Sequence, residues 1–126
     1  MATTVDVELG SRSYPIYIGR GLFDDSFASE TMRKHLAGTK VLVVTNDLVG
    51  PLHLAKVVAA LKQDSALSVE TLVLPDGEEQ KTMDNIMKVM DKALETHMDR
   101  RSTFVALGGG VIGDMVSRGA APLLPP

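Results

Sequence analysis

Thr103-Phe104-Val105-Ala106-Leu107-Gly108-Gly109-Gly110-Val111-Ile112-Gly113-Asp114 runs through an apolar stretch into three glycines and out into a second apolar segment. Such a run reads as a strand, and the glycines that break it stand at the mouth of a helix. Gly108, Gly110 and Gly113 satisfy the spacing of a dinucleotide loop, G-x-G-x-x-G. Glycines let a backbone turn sharply and approach a pyrophosphate closely, while the N–H groups at a helix start hold negative charge. The same spacing also serves as a plain strand-to-helix turn, so the glycines alone leave both readings open. Asp114, in the first helical turn, either complements the helix dipole or faces another part of a ligand, since beside a pyrophosphate it would repel.

Upstream, Val41-Leu42-Val43-Val44 within Lys40–Thr45 has no polar alternation and predicts a strand of a parallel sheet, covered on both faces. Ser68–Leu74 predicts a second core strand and Thr103–Leu107 a third. Between them, Pro51–Lys62 carries Leu54, Val57, Val58 and Leu61 at helical spacing, with Pro51 suited to the first turn. Thr82–His97 predicts a long helix with Met83, Ile86, Met87, Met90, Ala93 and Leu94 on one apolar face. At the N-terminus, Val5, Val7 and Leu9 alternate with polar residues, Gly10–Ser13 interrupts, and Tyr14, Ile16 and Ile18 resume, which reads as a β-hairpin from Thr3 to Ile18 joined to the sheet. A short helix from Ser29 to Gly38 follows it. The expected fold is α/β: a doubly wound, mostly parallel Rossmann-like sheet with an N-terminal hairpin. After Val116, three prolines crowd residues 117–126, so that segment is expected to be an irregular tail and the domain to span 1–116.

With 126 residues, 44% of them hydrophobic and 23% charged, the chain has the make-up of one globular domain. A net charge of -3 with no basic stripe argues against nucleic acid, and no run approaches a membrane span. Without cysteine there are no disulfides or thiolate metal sites. Met1-Ala2-Thr3-Thr4 shows no targeting signal, so the expected location is the cytoplasm, or a plastid if a transit peptide precedes it. His35, His53 and His97 fall on separate helices and form no metal motif.

Two further blocks lie at strand ends on the edge where ligands bind in parallel α/β sheets. Pro75-Asp76-Gly77-Glu78-Glu79-Gln80-Lys81 reads as a turn with acids before a helix, and equally as a site where carboxylates take ribose hydroxyls and Lys81 meets phosphate or hydroxyl oxygens. Asn46 and Asp47 end the first core strand, where one serves as a helix cap or reaches a ligand.

Pro15–Gly21, Val44-Thr45-Asn46, Pro75–Glu78 with Lys81, and Leu107–Asp114 together resemble 3-dehydroquinate synthase in order and spacing, from about Val5 to Val116. Phe104-Val105-Ala106 is similar to the plant and algal members. The resemblance implies that Asp76, Gly77, Glu78, Glu79, Gln80 and Lys81 contact the adenosine side of NAD. It further implies that Gly110, Val111, Ile112, Gly113 and Asp114 line the pyrophosphate and nicotinamide side, and that Asn46 touches the adenosine. The family is a carbon–oxygen lyase of the shikimate pathway that turns 3-deoxy-D-arabino-heptulosonate 7-phosphate into 3-dehydroquinate and phosphate. It works as a homodimer, with NAD and a divalent metal (zinc or cobalt) held by a helical C-terminal domain. Those metal ligands and substrate lysines have no counterpart in these residues, so the chain alone is expected to be inactive. A different sugar phosphate cyclase, a glycerol dehydrogenase-like enzyme and a non-functional truncated product are the alternatives.

Overall fold

The computed structural model describes residues 3–24 and 26–121. Strand β1 (Thr3–Val7) pairs antiparallel with β2 (Tyr14–Ile18) through a 3-10 turn at Gly10–Arg12. Helix α1 (Ser26–His35) leads to β3 (Lys40–Asn46), α2 (Gly50–Leu61), β4 (Ser68–Leu74), α3 (Met83–Glu95), β5 (Thr103–Ala106) and α4 (Gly110–Ala120). The three core strands are parallel in the order β4-β3-β5. The chain therefore steps from β3 to one side, then crosses β3 to reach β5. The hairpin is a separate two-stranded sheet rather than an extension of the parallel one. Its hold on the rest runs through Tyr17, whose ring meets Phe27 edge-on at 5.8 Å and whose hydroxyl lies 3.2 Å from His35 Nε2.

β3 is the middle strand, and its alternation divides the core into two layers. Leu42 and Val44 pack with Leu74 and with Ile86, Val89, Ala93, Ile112, Met115 and Val116 from α3 and α4. Val41 and Val43 pack on the other face with Val57 and Leu61 of α2, and Met32 and Leu36 adjoin them. An unbroken apolar run is what a strand with helices on both faces requires.

Two further expectations are corrected. First, α3 buries Asn85, Ile86, Val89 and Ala93, while Met83, Met87 and Leu94 are exposed. The helix is rolled relative to the methionine-marked face because β-branched Val89 and Ile86 meet α4. Second, regular structure does not stop at Val116: α4 continues through Ser117-Arg118-Gly119-Ala120, and the rest of the expected tail, 122–126, lies outside the described residues. Ile112, Met115, Val116, Gly119 and Ala120 are all buried and follow helical spacing. Gly119 and Ala120 add little hydropathy, so the proline-rich ending masks a stripe whose value lies in small size. A Cβ on Gly119 would sit 2.6 Å from Val89 Cβ and 3.1 Å from the Ile86 carbonyl, which shows how closely the two helices approach.

Candidate functional site

Parallel strands send every following loop to one edge, and the crevice beside the strand where the order reverses is the usual ligand position. Here that crevice lies between the C-terminal ends of β3 and β5. Its walls are stapled together: Leu107 N–H donates to the Val44 carbonyl (2.9 Å) and Thr45 Oγ1 to the Leu107 carbonyl (2.8 Å).

On the β5 side the glycine loop opens into α4. Gly113 N–H donates to the Gly109 carbonyl (3.1 Å), leaving the earlier N–H groups of Gly110, Val111 and Ile112 without intrahelical acceptors. Gly108 has a local reason to be glycine, since a Cβ there would stand 3.1 Å from Ile112 Cγ1. Gly109, Gly110 and Gly113 have none: a Cβ at any of them meets no heavy atom within 4 Å. The chain's own packing does not demand those glycines, and the space before their backbone is open. Ile112 departs from the expected set in one respect, because its side chain is 1% exposed and belongs to the core, so it offers the edge only its N–H.

The Pro75–Lys81 block comes from the end of β4 and crosses toward α4 because α3 and α4 share a face of the sheet. Gly77 has φ 119°, a backbone shape that side chains resist, and starts a 3-10 turn over Glu78–Gln80. Thr82 caps α3 by accepting from Asn85 N–H (3.2 Å), and buried Asn85 Nδ2 donates to the Gln80 carbonyl (2.7 Å). These bonds fix where Lys81 projects. Its Nζ lies 3.0 Å from Asp114 Oδ2 and 3.1 Å from Glu78 Oε1. Hydrogen bonds to Asp114 and then Glu78 hold the Lys81 ammonium above its ordinary pKa, so it is a fixed cation at neutral pH. Asp114 thus turns from the glycine backbone toward Lys81, which resolves how a carboxylate stands beside an anion-ready helix start.

At the end of β3, Asn46 is 5% exposed and uses both ends of its amide. Its Oδ1 accepts from Leu48 N–H (3.1 Å) and Val49 N–H (2.7 Å), capping the turn into α2, and its Nδ2 donates to Asp76 Oδ1 (3.1 Å). Thr45 was not among the expected site residues, and Asp47 stood there only beside Asn46 as a helix cap or ligand contact. The signal for both was present, since a buried apolar strand that ends in three polar residues, Thr45-Asn46-Asp47, brings polar groups to the ligand edge.

This arrangement defines a Rossmann-like α/β domain with an anion-ready loop beside a cluster of carboxylates and one clamped lysine. Residues 71–124 match the family described as 3-dehydroquinate synthase N-terminal. The chain is 57% identical over 123 residues to 3-dehydroquinate synthase, chloroplastic, of Arabidopsis thaliana, covering 97% of this chain and 27% of that protein. It is 48% identical over 118 residues to 3-dehydroquinate synthase of Hydrogenovibrio crunogenus, covering 94% of this chain and 31% of that protein. Over these residues the chain is similar to 3-dehydroquinate synthases, and it spans under a third of the length of these relatives. Its fold is shared with 2-deoxy-scyllo-inosose synthase complexed with carbaglucose-6-phosphate, NAD+ and Co2+, at TM-score 0.78 and 20% identity over 96% of this chain and 32% of that one. It is also similar to 2-epi-5-epi-valiolone synthase from Streptomyces hygroscopicus with NAD+ and Zn2+ bound, at TM-score 0.64 and 25% identity over 71% of this chain and 25% of that one. Among the described residues no helix is long and apolar enough to cross a membrane, and no group of three or more acids and histidines is placed to hold a metal ion.

Proposed function

We propose that this chain is the NAD-binding part of a 3-dehydroquinate synthase, the lyase that converts 3-deoxy-D-arabino-heptulosonate 7-phosphate to 3-dehydroquinate and phosphate in the shikimate pathway. The observation that carries the reading is the open space at Gly109, Gly110 and Gly113 beside the free N–H groups of α4. A turn needed only for folding would show contacts that exclude a side chain, as Gly108 does. A pyrophosphate needs the backbone bare and the N–H groups unused.

The residues fit NAD in a definite division of labour. The N–H groups of Gly110, Val111 and Ile112 bind the pyrophosphate, and the dipole of α4 adds roughly 0.3–1 kcal/mol for a negative charge. Asp76, Gly77, Glu78, Glu79, Gln80 and Lys81 form the adenosine side, with carboxylates accepting from ribose hydroxyls. Asn46 supports that side through Asp76, and Gly113 and Asp114 face the nicotinamide ribose. When bound, NAD supplies reversible hydride acceptance at an alcohol carbon. Among the described residues no cluster of acids and histidines would hold the family's divalent metal. The likeness to chloroplastic relatives supports a plastid location for the whole protein.

Calorimetric titration of the chain and of Gly110→Ala with NAD tests this reading. The chain should bind NAD. The variant should keep its thermal midpoint, because nothing crowds the new methyl group, and lose affinity at least about tenfold because the methyl occupies the pyrophosphate's approach. Equal affinity in the two proteins would reduce the glycine loop to a turn.

A further inference from the structure

Asp47 follows the last residue of β3 and makes two bonds to the end of β4. Its N–H donates to the Leu74 carbonyl at 2.9 Å, and its Oδ1 accepts from the Asp76 N–H at 3.0 Å. The β3–β4 ladder ends at the pair Asn46–Leu74. In a parallel ladder carried one residue further, Asp47 would face Pro75, giving its N–H to Leu74 and its main-chain carbonyl to the N–H of Asp76. The first bond is present, and in the second the side-chain oxygen stands where the main-chain carbonyl would. The main chain is thereby released to turn into α2, while Pro75, on the edge strand, has no N–H that the ladder requires.

The consequence falls on Asp76. Asp47 holds its backbone and Asn46 Nδ2 holds its carboxylate, so the residue leaving β4 is fixed at two points from β3 just before the φ 119° turn at Gly77. We propose that Asp47 is a positioning residue: its side-chain oxygen replaces a ladder carbonyl and sets the Pro75–Gly77 turn, and with it the carboxylate that faces the ligand edge. The inference rests on the NAD reading above for its functional meaning. It requires an acceptor oxygen at position 47 and no charge there.

Asp47→Ala removes the acceptor, and Asp47→Asn keeps it. Both are compared with the unaltered chain by NMR amide exchange at Asp76 and by calorimetric titration with NAD. In Asp47→Ala the Asp76 amide should exchange about tenfold faster, as a lost local bond lowers protection, and NAD affinity should fall about fivefold. Asp47→Asn should remain within about twofold of the unaltered chain in both measurements. Unchanged Asp76 exchange in Asp47→Ala would overturn the proposal, as would faster exchange with undiminished NAD affinity. Loss of affinity in Asp47→Asn with Asp76 still protected would overturn it too, by showing that the charge acts on the ligand directly. If the unaltered chain bound no NAD, the NAD reading would fall. The exchange measurement would then decide by itself whether Asp47 holds the turn.

Discussion

Lys81 shows how one residue joins two segments that are separate in sequence. It sits before α3, and its two carboxylate partners come from its own turn and from α4. Exposed ion pairs add little to stability, so the arrangement matters chiefly for what it presents at the ligand edge. In Lys81→Met the thermal midpoint should hardly move, while NAD affinity measured by titration should fall about tenfold as a charge-assisted bond is lost and two carboxylates are left to repel the ligand. The pH dependence follows from the direction of the shift. The folded-state pKa of Lys81 is raised above the ordinary 10.5 by Asp114 and then Glu78. Whatever stability this gives is fully present below the unfolded value and disappears as pH rises through the folded one. Melting curves of the chain and of Lys81→Met should therefore differ by a constant amount from neutral pH to about 9 and converge only above 10.5. A difference that changed between pH 6 and 8 would point to another group.

At the scale of elements, helix ends and helix contacts decide which segments hold still. α3 ends at Glu95 with Thr96 as its C-cap, and the next residue, His97, adopts φ 60°. Met98 N–H donates to the Ala93 carbonyl (2.8 Å) and His97 N–H to the Leu94 carbonyl (3.2 Å), the paired bonds of a left-handed helix stop where glycine is usual. A side chain in that conformation costs about 1 kcal/mol, and the His97 carbonyl, which accepts from Lys40 Nζ at 2.8 Å, is kept by any residue. His97→Gly should thus stabilise the chain by about 0.5–1 kcal/mol in urea denaturation, and a lower midpoint would mean that the imidazole has an unrecognised role. Gly119 is the opposite case. Alanine is the better helix former by about 1 kcal/mol, yet its Cβ would lie 2.6 Å from Val89 Cβ, a branched carbon with little freedom to retreat. The clash should win, with Gly119→Ala destabilising by about 1–3 kcal/mol in the same experiment. A stabilised variant would show that α3 and α4 can separate at no cost.

For the whole molecule, the chain covers 27% of its Arabidopsis thaliana relative, and the described residues gather the glycine loop and the Pro75–Lys81 block at one sheet edge but include no metal-holding cluster. A polypeptide of these 126 residues, expressed in a cell without its own dehydroquinate synthase, should fail to restore growth without aromatic amino acids. Growth would mean that this portion suffices for the reaction. Strand positions and parallel pairing were legible in the sequence, because Val41–Val44 carries no polar residue and a strand of that kind must lie between layers of helices. The glycine loop was legible for the same reason: its place after a strand restricts what its spacing can mean. Hydropathy did not reveal which face of α3 is buried, that α4 runs on to Ala120, or that the hairpin stands apart from the sheet. Burial there depends on fit between partners distant in sequence, as when Gly119 admits Val89, and small residues contribute to such fit by what they lack. Nor could spacing show that Asp114 turns to Lys81 and that Asp47 completes a ladder for Asp76. Those pairs form only when the ends of different strands meet, so residue order alone determined which groups reach the edge, and the tertiary structure decided which of them hold one another in place.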